Sequence, residues 1–161
     1  MTIAAVILAG GRATRRGGGD KPLLEVGDAP MLTRVVAALQ PDVAAIAISA
    51  NGDPARFGSF GLPVLPDGPF AGEGPLAGVL AGLDWAAAIG ADALLTVPGD
   101  TPFVPLGLAA ALAPPPSHAT SHGRPHYLVA LWPVVCRNAL RRLLSAPGPR
   151  AVARFAAQIA M

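Results

Sequence analysis

Three short runs of small and β-branched apolar residues, Ile3 to Leu8, Val43 to Ser49 and Ala93 to Val97, constrain this chain more than any other feature. Each is free of charge and ends at a turn signal, the pattern of a strand covered on both faces. Between them lie segments of helical spacing. Met31 to Leu39 carries apolar residues every third or fourth position and stops before Pro41. Gly74-Pro75 opens a second helix running to about Ile89, with proline in the first turn where its missing N–H costs nothing. Pro63 to Leu65 is a further short strand. Beyond Val97 the pattern predicts a short helix near Leu106 to Leu112 and a loop from Pro114 to Pro125. A strand from Tyr127 to Trp132 follows, then helices around Asn138 to Leu144 and Ala151 to Ile159. Strands alternating with helices predict right-handed crossovers and an α/β fold with a mostly parallel sheet.

At 161 residues the chain is expected to form one domain (1–161). A hydrophobic fraction of 52% against 14% charged residues argues against disorder, despite 19 glycines and 18 prolines. No apolar run approaches the ~18 residues of a membrane span. The first eight residues lack a basic lead and a small-residue cleavage site, so no signal peptide is expected. The single cysteine, Cys136, has no partner within the chain, and a cytoplasmic location is the expectation.

Charge is unevenly placed. All 10 acidic residues precede Thr101, whereas half of the 12 basic residues follow it, namely Arg124, Arg137, Arg141, Arg142, Arg150 and Arg154. Two readings stand: an acidic partner segment lies elsewhere, or the last third presents an electropositive surface to an anion. Nucleic acid is not expected as a partner, because the basic residues are scattered and not interleaved with aromatics. Lys21 is the only lysine. In a chain that otherwise uses arginine, position 21 calls for a compact point charge on a flexible stem, which a planar guanidinium is not.

In parallel α/β sheets ligands bind outside the carboxyl ends of the strands. After the first strand comes the glycine-rich segment Leu8 to Lys21, after the second Ala50-Asn51, after the third Asp67, and after Ala93–Val97 comes Asp100. Backbone N–H groups of a glycine loop, with Arg15 and Lys21, suit phosphate oxygens. The segment is neither a P-loop nor a G-x-G-x-x-G fingerprint. Asp100 suits Mg²⁺, which takes one or two carboxylates plus phosphate oxygens and water, or else it caps the turn before Pro102. Asn51 and Asp67, taken singly, are also common turn residues.

The order of these elements resembles a family. Leu8 to Lys21, followed by Pro22-Leu23-Leu24, is similar to the L-A-G-G-x-x-x-R-x-G-G-x-D-K signature of nucleotidyltransferases. Ser49-Ala50-Asn51, Pro66-Asp67, Gly74-Pro75-Leu76-Ala77-Gly78 and Gly99-Asp100-Thr101-Pro102 follow in the order of one branch, the molybdenum cofactor guanylyltransferases. The resemblance implies a Rossmann-like, three-layer nucleotidyltransferase fold. It also implies transfer of GMP from GTP to a molybdopterin-type cofactor, with Mg²⁺ required. It places Leu8, Ala9, Gly10 and Gly11 around the nucleotide, Lys21 on its phosphates and Asn51 and Asp67 toward the guanosine. Asp100 takes the position of the magnesium and nucleotide ligand, and Arg15 that of the signature arginine, from which a phosphate role follows. The chain departs from the family at Arg16, commonly apolar, at Gly99, frequently cysteine, and at Arg124-Pro125-His126-Tyr127, usually R-x-H-P.

Nucleotidyl transfer is chiefly a matter of positioning and charge stabilisation. Its attacking group would be a phosphate monoester, with a second pKa of about 6, already ionised at neutral pH. No general base is required, which agrees with the lack of a recognisable Ser/His/Asp or Cys/His arrangement. Arg15, Lys21 and Asp100 are therefore the expected catalytic residues. The resemblance divides the chain into a nucleotide-binding part (1–113) and an acceptor-side part (114–161). Family members commonly continue past the position matching Met161, so GTP binding by residues 1–161 is expected together with slow transfer. A cytidylyl- or sugar-phosphate nucleotidyltransferase shares the first motif and is the alternative enzyme. A non-catalytic nucleotide-binding adaptor is the alternative outside enzymes. His118, His122 and His126 have helical metal-ligand spacing, but Gly123 and Pro125 interrupt any helix there and predict a solvated loop. Cys136, Trp85 and Trp132 read as core residues.

Overall fold

A computed structural model of the chain describes residues 1–10, 25–26, 29–101 and 103–161. Six strands form the main sheet: β1 (Ile3–Leu8), β4 (Ala45–Ser49), β5 (Val64–Leu65), β6 (Ala93–Pro98), β7 (Ser117–Ser121) and β8 (Arg124–Pro133). Their order across the sheet is β5-β4-β1-β6-β8-β7. The first four are parallel, as the apolar runs predict, while β8 pairs antiparallel with β6 and β7 antiparallel with β8. A separate two-stranded ribbon joins β2 (Glu25–Val26) to β3 (Ala29–Pro30). The helices are α1 (Met31–Leu39), α2 (Pro75–Ala88), α3 (Leu108–Leu112), α4 (Arg137–Ser145) and α5 (Val152–Gln158).

The central strand β1 explains the three layers. Ala4, Ala5, Val6 and Ile7 have no exposed surface. Ala5 and Ile7 point into a core built with Leu32, Val35 and Leu39 of α1 and Leu108 and Leu112 of α3. Ala4 and Val6 point the other way, into a core with α2, α4 and Phe155 of α5. Period-two alternation thus sends one continuous apolar strand into two cores, each covered by helices. Trp132 is fully buried, its indole N–H donates to Thr96 Oγ1 at 2.9 Å, and its ring stacks on Phe155 at 5.9 Å. Trp132 is a core residue, as expected, and Trp85 packs half-buried against the same core. Cys136 is buried as well, and burial pushes its thiol up to about 11, which makes it a poor nucleophile.

The segment from Pro114 to Pro125 is not the expected loop. It forms β7 and the start of β8, joined by His122 and Gly123 with φ of +49° and +73°. Two successive left-handed residues make the tight turn whose twist matches a hairpin. The flanking prolines hid this pairing in the sequence. Pro125 is tolerated because it lies near the strand's start, opposite Thr120 of the edge strand. The three histidines therefore lie on a hairpin, His118 and His126 on strands and His122 in the turn. Among the described residues no group of three or more His, Cys, Asp or Glu is placed to hold a metal ion.

Pairing across the fold accounts for half of the late arginines. Asp84 of α2 accepts from Arg137 at 3.4 Å and Arg141 at 2.5 Å of α4. Glu73 accepts from Arg150 at 2.9 Å, and Arg150 also donates to the carbonyls of Leu144, Ala146 and Gly148. Three of the six late arginines thus find acidic partners in the first hundred residues.

Candidate functional site

The four parallel strands all end on one edge, and backbone hydrogen bonds hold their exits in a row. Ala50 N–H donates to the Leu65 carbonyl at 3.1 Å, Ala9 N–H to Ser49 at 2.8 Å, and Gly99 N–H to Leu8 at 2.9 Å. Asp67, Asn51, Ala9-Gly10 and Asp100 therefore emerge side by side in the order β5, β4, β1, β6. These are the residues that the sequence singled out, gathered from positions spread over ninety residues.

Within this row Asn51 and Asp67 are locked together. Asn51 Nδ2 donates to Asp67 Oδ2 at 2.9 Å, and Asp67 N–H donates back to Asn51 Oδ1 at 2.8 Å. The two residues form one unit, a half-buried carboxylate oriented by an amide. Ala9 is buried, Leu8 half-buried and Gly10 exposed. A Cβ on Gly10 would make only ordinary contact, 3.6 Å from Ala50 Cα, so its neighbours do not require glycine; its bare backbone leaves the edge open. Asp100 lies exposed two residues past Pro98, which pairs with Leu8.

Helix α2 closes one side by unusually close approach. A Cβ at Gly78 would stand 2.6 Å from Ser49 Oγ and 3.1 Å from Leu8 Cδ2. One at Gly82 would stand 2.8 Å from both Val6 Cγ1 and Leu94 Cδ2. Glycines four apart present one bare stripe, along which the helix rests against β1, β4 and β6. The G-P-L-A-G element thus sets how near α2 lies to the strand ends.

Arg56 was not singled out by the sequence. Its guanidinium lies 4.7 Å over the Phe57 ring, and its Nη1 stands 2.9 Å from where a Cβ on Gly52 would be. It brings a cation against Gly52, the residue after Asn51, by way of the turn following Asp53; no local pattern marks it. Gly11, Arg15 and Lys21 lie outside the described residues, as does Pro102.

A row of strand-end groups combining an oriented carboxylate, an open glycine edge and an exposed aspartate suits a nucleotide with its phosphates. The sequence pattern of the MobA-like NTP transferase domain matches residues 5–159. The chain belongs to the MobA-like NTP transferase family. It is 56% identical over 159 residues to a molybdenum cofactor guanylyltransferase of Acidiphilium cryptum (strain JF-5), covering 99% of this chain and 81% of that protein. It is 52% identical to the molybdenum cofactor guanylyltransferase of Rhodobacter capsulatus, over 96% of this chain and 80% of the relative. Among solved structures it resembles the molybdopterin-guanine dinucleotide biosynthesis protein A of Archaeoglobus fulgidus, with a TM-score of 0.69 and 20% identity. That match covers 94% of this chain and 77% of the other. As a MobA-like NTP transferase the chain is a nucleotidyltransferase, and the three-layer α/β fold expected from its sequence is the fold it has. Among the described residues no helix is long and apolar enough to cross a membrane.

Proposed function

We propose that this chain transfers the guanylyl group of GTP to the phosphate of a molybdopterin-type cofactor and releases pyrophosphate. The observation that carries this reading is identity of 56% across nearly the whole chain to a molybdenum cofactor guanylyltransferase. In the reaction an acceptor phosphate oxygen attacks the α-phosphorus of GTP. The new phosphoanhydride bond forms there as the bond to the β-phosphate oxygen breaks, and pyrophosphate carries away the electron pair. The acceptor arrives ionised, so no side chain need remove a proton.

Each strand-end group has a task in this reading. Guanine carries N–H donors at N1 and N2, and the Asp67 carboxylate held by Asn51 is a matching acceptor. The strand-end backbone of Leu8, Ala9 and Gly10 passes close to the nucleotide; by the family's sequence signature Gly11 joins it, and Arg15 and Lys21 neutralise the phosphates. An exposed aspartate at a strand end fits Mg²⁺, which takes one or two carboxylates and draws its other ligands from phosphate and water. Asp100 would hold that ion, which would supply electrostatic stabilisation of phosphate charge. Residues 1–113 then form the nucleotide side and 114–161 the acceptor side of one domain. The reading includes a cytoplasmic location and no nucleic acid or membrane partner.

Thermal stabilisation by GTP, CTP and UTP in the presence of Mg²⁺ tests the base. GTP alone should raise the melting temperature strongly; preference for CTP would replace this reading with a cytidylyltransferase. Asp100→Asn should lose Mg²⁺-dependent pyrophosphate release by about 10²–10³ while retaining most GTP affinity. Loss of both together would instead assign Asp100 to structure.

A further inference from the structure

Strand β8 outruns the strand it pairs with. The β6–β8 ladder matches residues 93–96 with 133–130. Beyond β6, residues 124–126 pair only with β7, Ser121 opposite Arg124 and Ala119 opposite His126. The hairpin therefore stands past the sheet as a wall. By strand order it lies on the side of Asp100 away from Asn51 and Asp67.

Between this wall and the segment that follows β6 lies a cleft of 610 Å³, lined among others by Pro98, Thr101, Pro105, Ser121, His126 and Tyr127. Thr101 directly follows Asp100, so the cleft opens onto the same turn as the nucleotide side. Its volume is that of a site for a small-molecule ligand. Most of its wall is apolar, and its polar feature is a pair, Ser121 Oγ and His126 Nε2, 2.6 Å apart. Among the described residues no carboxylate lines this cleft to serve as the third group that orients a nucleophilic serine's base. What the pair offers is a donor. With Nε2–H donating to Ser121 Oγ, the serine hydroxyl hydrogen is directed outward to an anion.

We propose that this cleft is the acceptor subsite, in which Ser121 donates to the acceptor's phosphate and the flat pterin ring lies against Tyr127 and the apolar wall. The proposal rests on the guanylyltransfer reading. His126 is a positioning residue that acts through Ser121. The placement follows from the reaction. GTP occupies the β5-β4-β1 side of Asp100, and in-line attack requires the acceptor phosphate to approach the α-phosphorus from across it.

The test is steady-state pyrophosphate release by the full chain, varying molybdopterin at saturating GTP and Mg²⁺, with GTP affinity measured separately by calorimetry. Ser121→Ala should raise the KM for molybdopterin about tenfold, the effect of losing a hydrogen bond to a charged group, with kcat and GTP affinity changed less than about twofold. His126→Leu should do the same. His126→Gln, which keeps an N–H donor, should recover a measurable part. Both side chains are exposed on a hairpin, so the variants should fold, and their melting temperatures check this. A pair that merely staples the hairpin would lower the melting temperature without selectively raising the acceptor KM. That result, or a wild-type acceptor KM in every variant, would overturn the subsite while leaving guanylyltransfer standing. Absence of pyrophosphate release by the wild-type chain with GTP and molybdopterin would overturn both.

Discussion

Gly78→Ala should be destabilising in the native chain and neutral or stabilising once a single oxygen atom is removed from its path. The added Cβ falls 2.6 Å from Ser49 Oγ, about 0.8 Å inside ordinary contact, whereas Ser49 Cβ is at a comfortable 3.6 Å. The obstacle is therefore the hydroxyl. Overpacking of this kind costs about 1–3 kcal/mol, while alanine gains about 1 kcal/mol over glycine within a helix. The single variant should lose about 1 kcal/mol, or about 2–4 °C of melting temperature for a chain of this size. In a Ser49→Ala background the clash disappears. Only Leu8 Cδ2, at 3.1 Å on a half-buried side chain, has to give by a few tenths of an ångström. There Gly78→Ala should be neutral or raise the melting temperature, a coupling of about 1–2 kcal/mol. Thermal unfolding of the wild type, both single variants and the double variant measures it. Because the Ser49 carbonyl holds Ala9 N–H, GTP affinity should weaken in Gly78→Ala and return in the double variant. Equal shifts in both backgrounds would refute the argument that Ser49 limits the approach of α2.

Asn51→Ala removes both hydrogen bonds that orient Asp67 and leaves its N–H without that acceptor. GTP affinity by titration calorimetry should fall about tenfold with a loss of about 1–3 kcal/mol in stability, and unchanged affinity would remove this pair from the nucleotide site. Lys21→Ala should weaken GTP binding or transfer at least about tenfold, and Lys21→Arg should also be impaired; a fully active Lys21→Arg would refute the argument from lysine usage. Cys136 should label slowly with iodoacetamide at pH 8 in the folded protein and fully in denaturant, and fast native labelling would contradict its burial. The folded thiol holds its proton more tightly than an unfolded one. Its contribution to stability is therefore lost as pH rises from 9.0 toward about 11.

The parallel half of the sheet and most of the row along its edge are legible in the order of residues. The apolar runs at Ile3–Leu8 and Ala93–Val97 each became a strand within one residue of the predicted bounds. Local period and turn chemistry suffice there, because a strand buried on both faces needs only an unbroken apolar run between turn signals. Asn51, Asp67 and Asp100 were identifiable because ligands meet parallel sheets at their carboxyl ends, a rule that needs only strand positions. What depends on register between distant segments emerges only in the packed fold. The β7–β8 hairpin is written in a weak local code of histidine, glycine and prolines, and becomes a strand pair only against β6. The Asn51–Asp67 lock joins residues 16 apart, and Arg150 meets Glu73 across 77 residues. Arg56 meets Gly52 because a turn after Asp53 directs it there. Such contacts follow from strand order and from how close Gly78 and Gly82 let a helix lie, and these are settled only when the whole sheet packs.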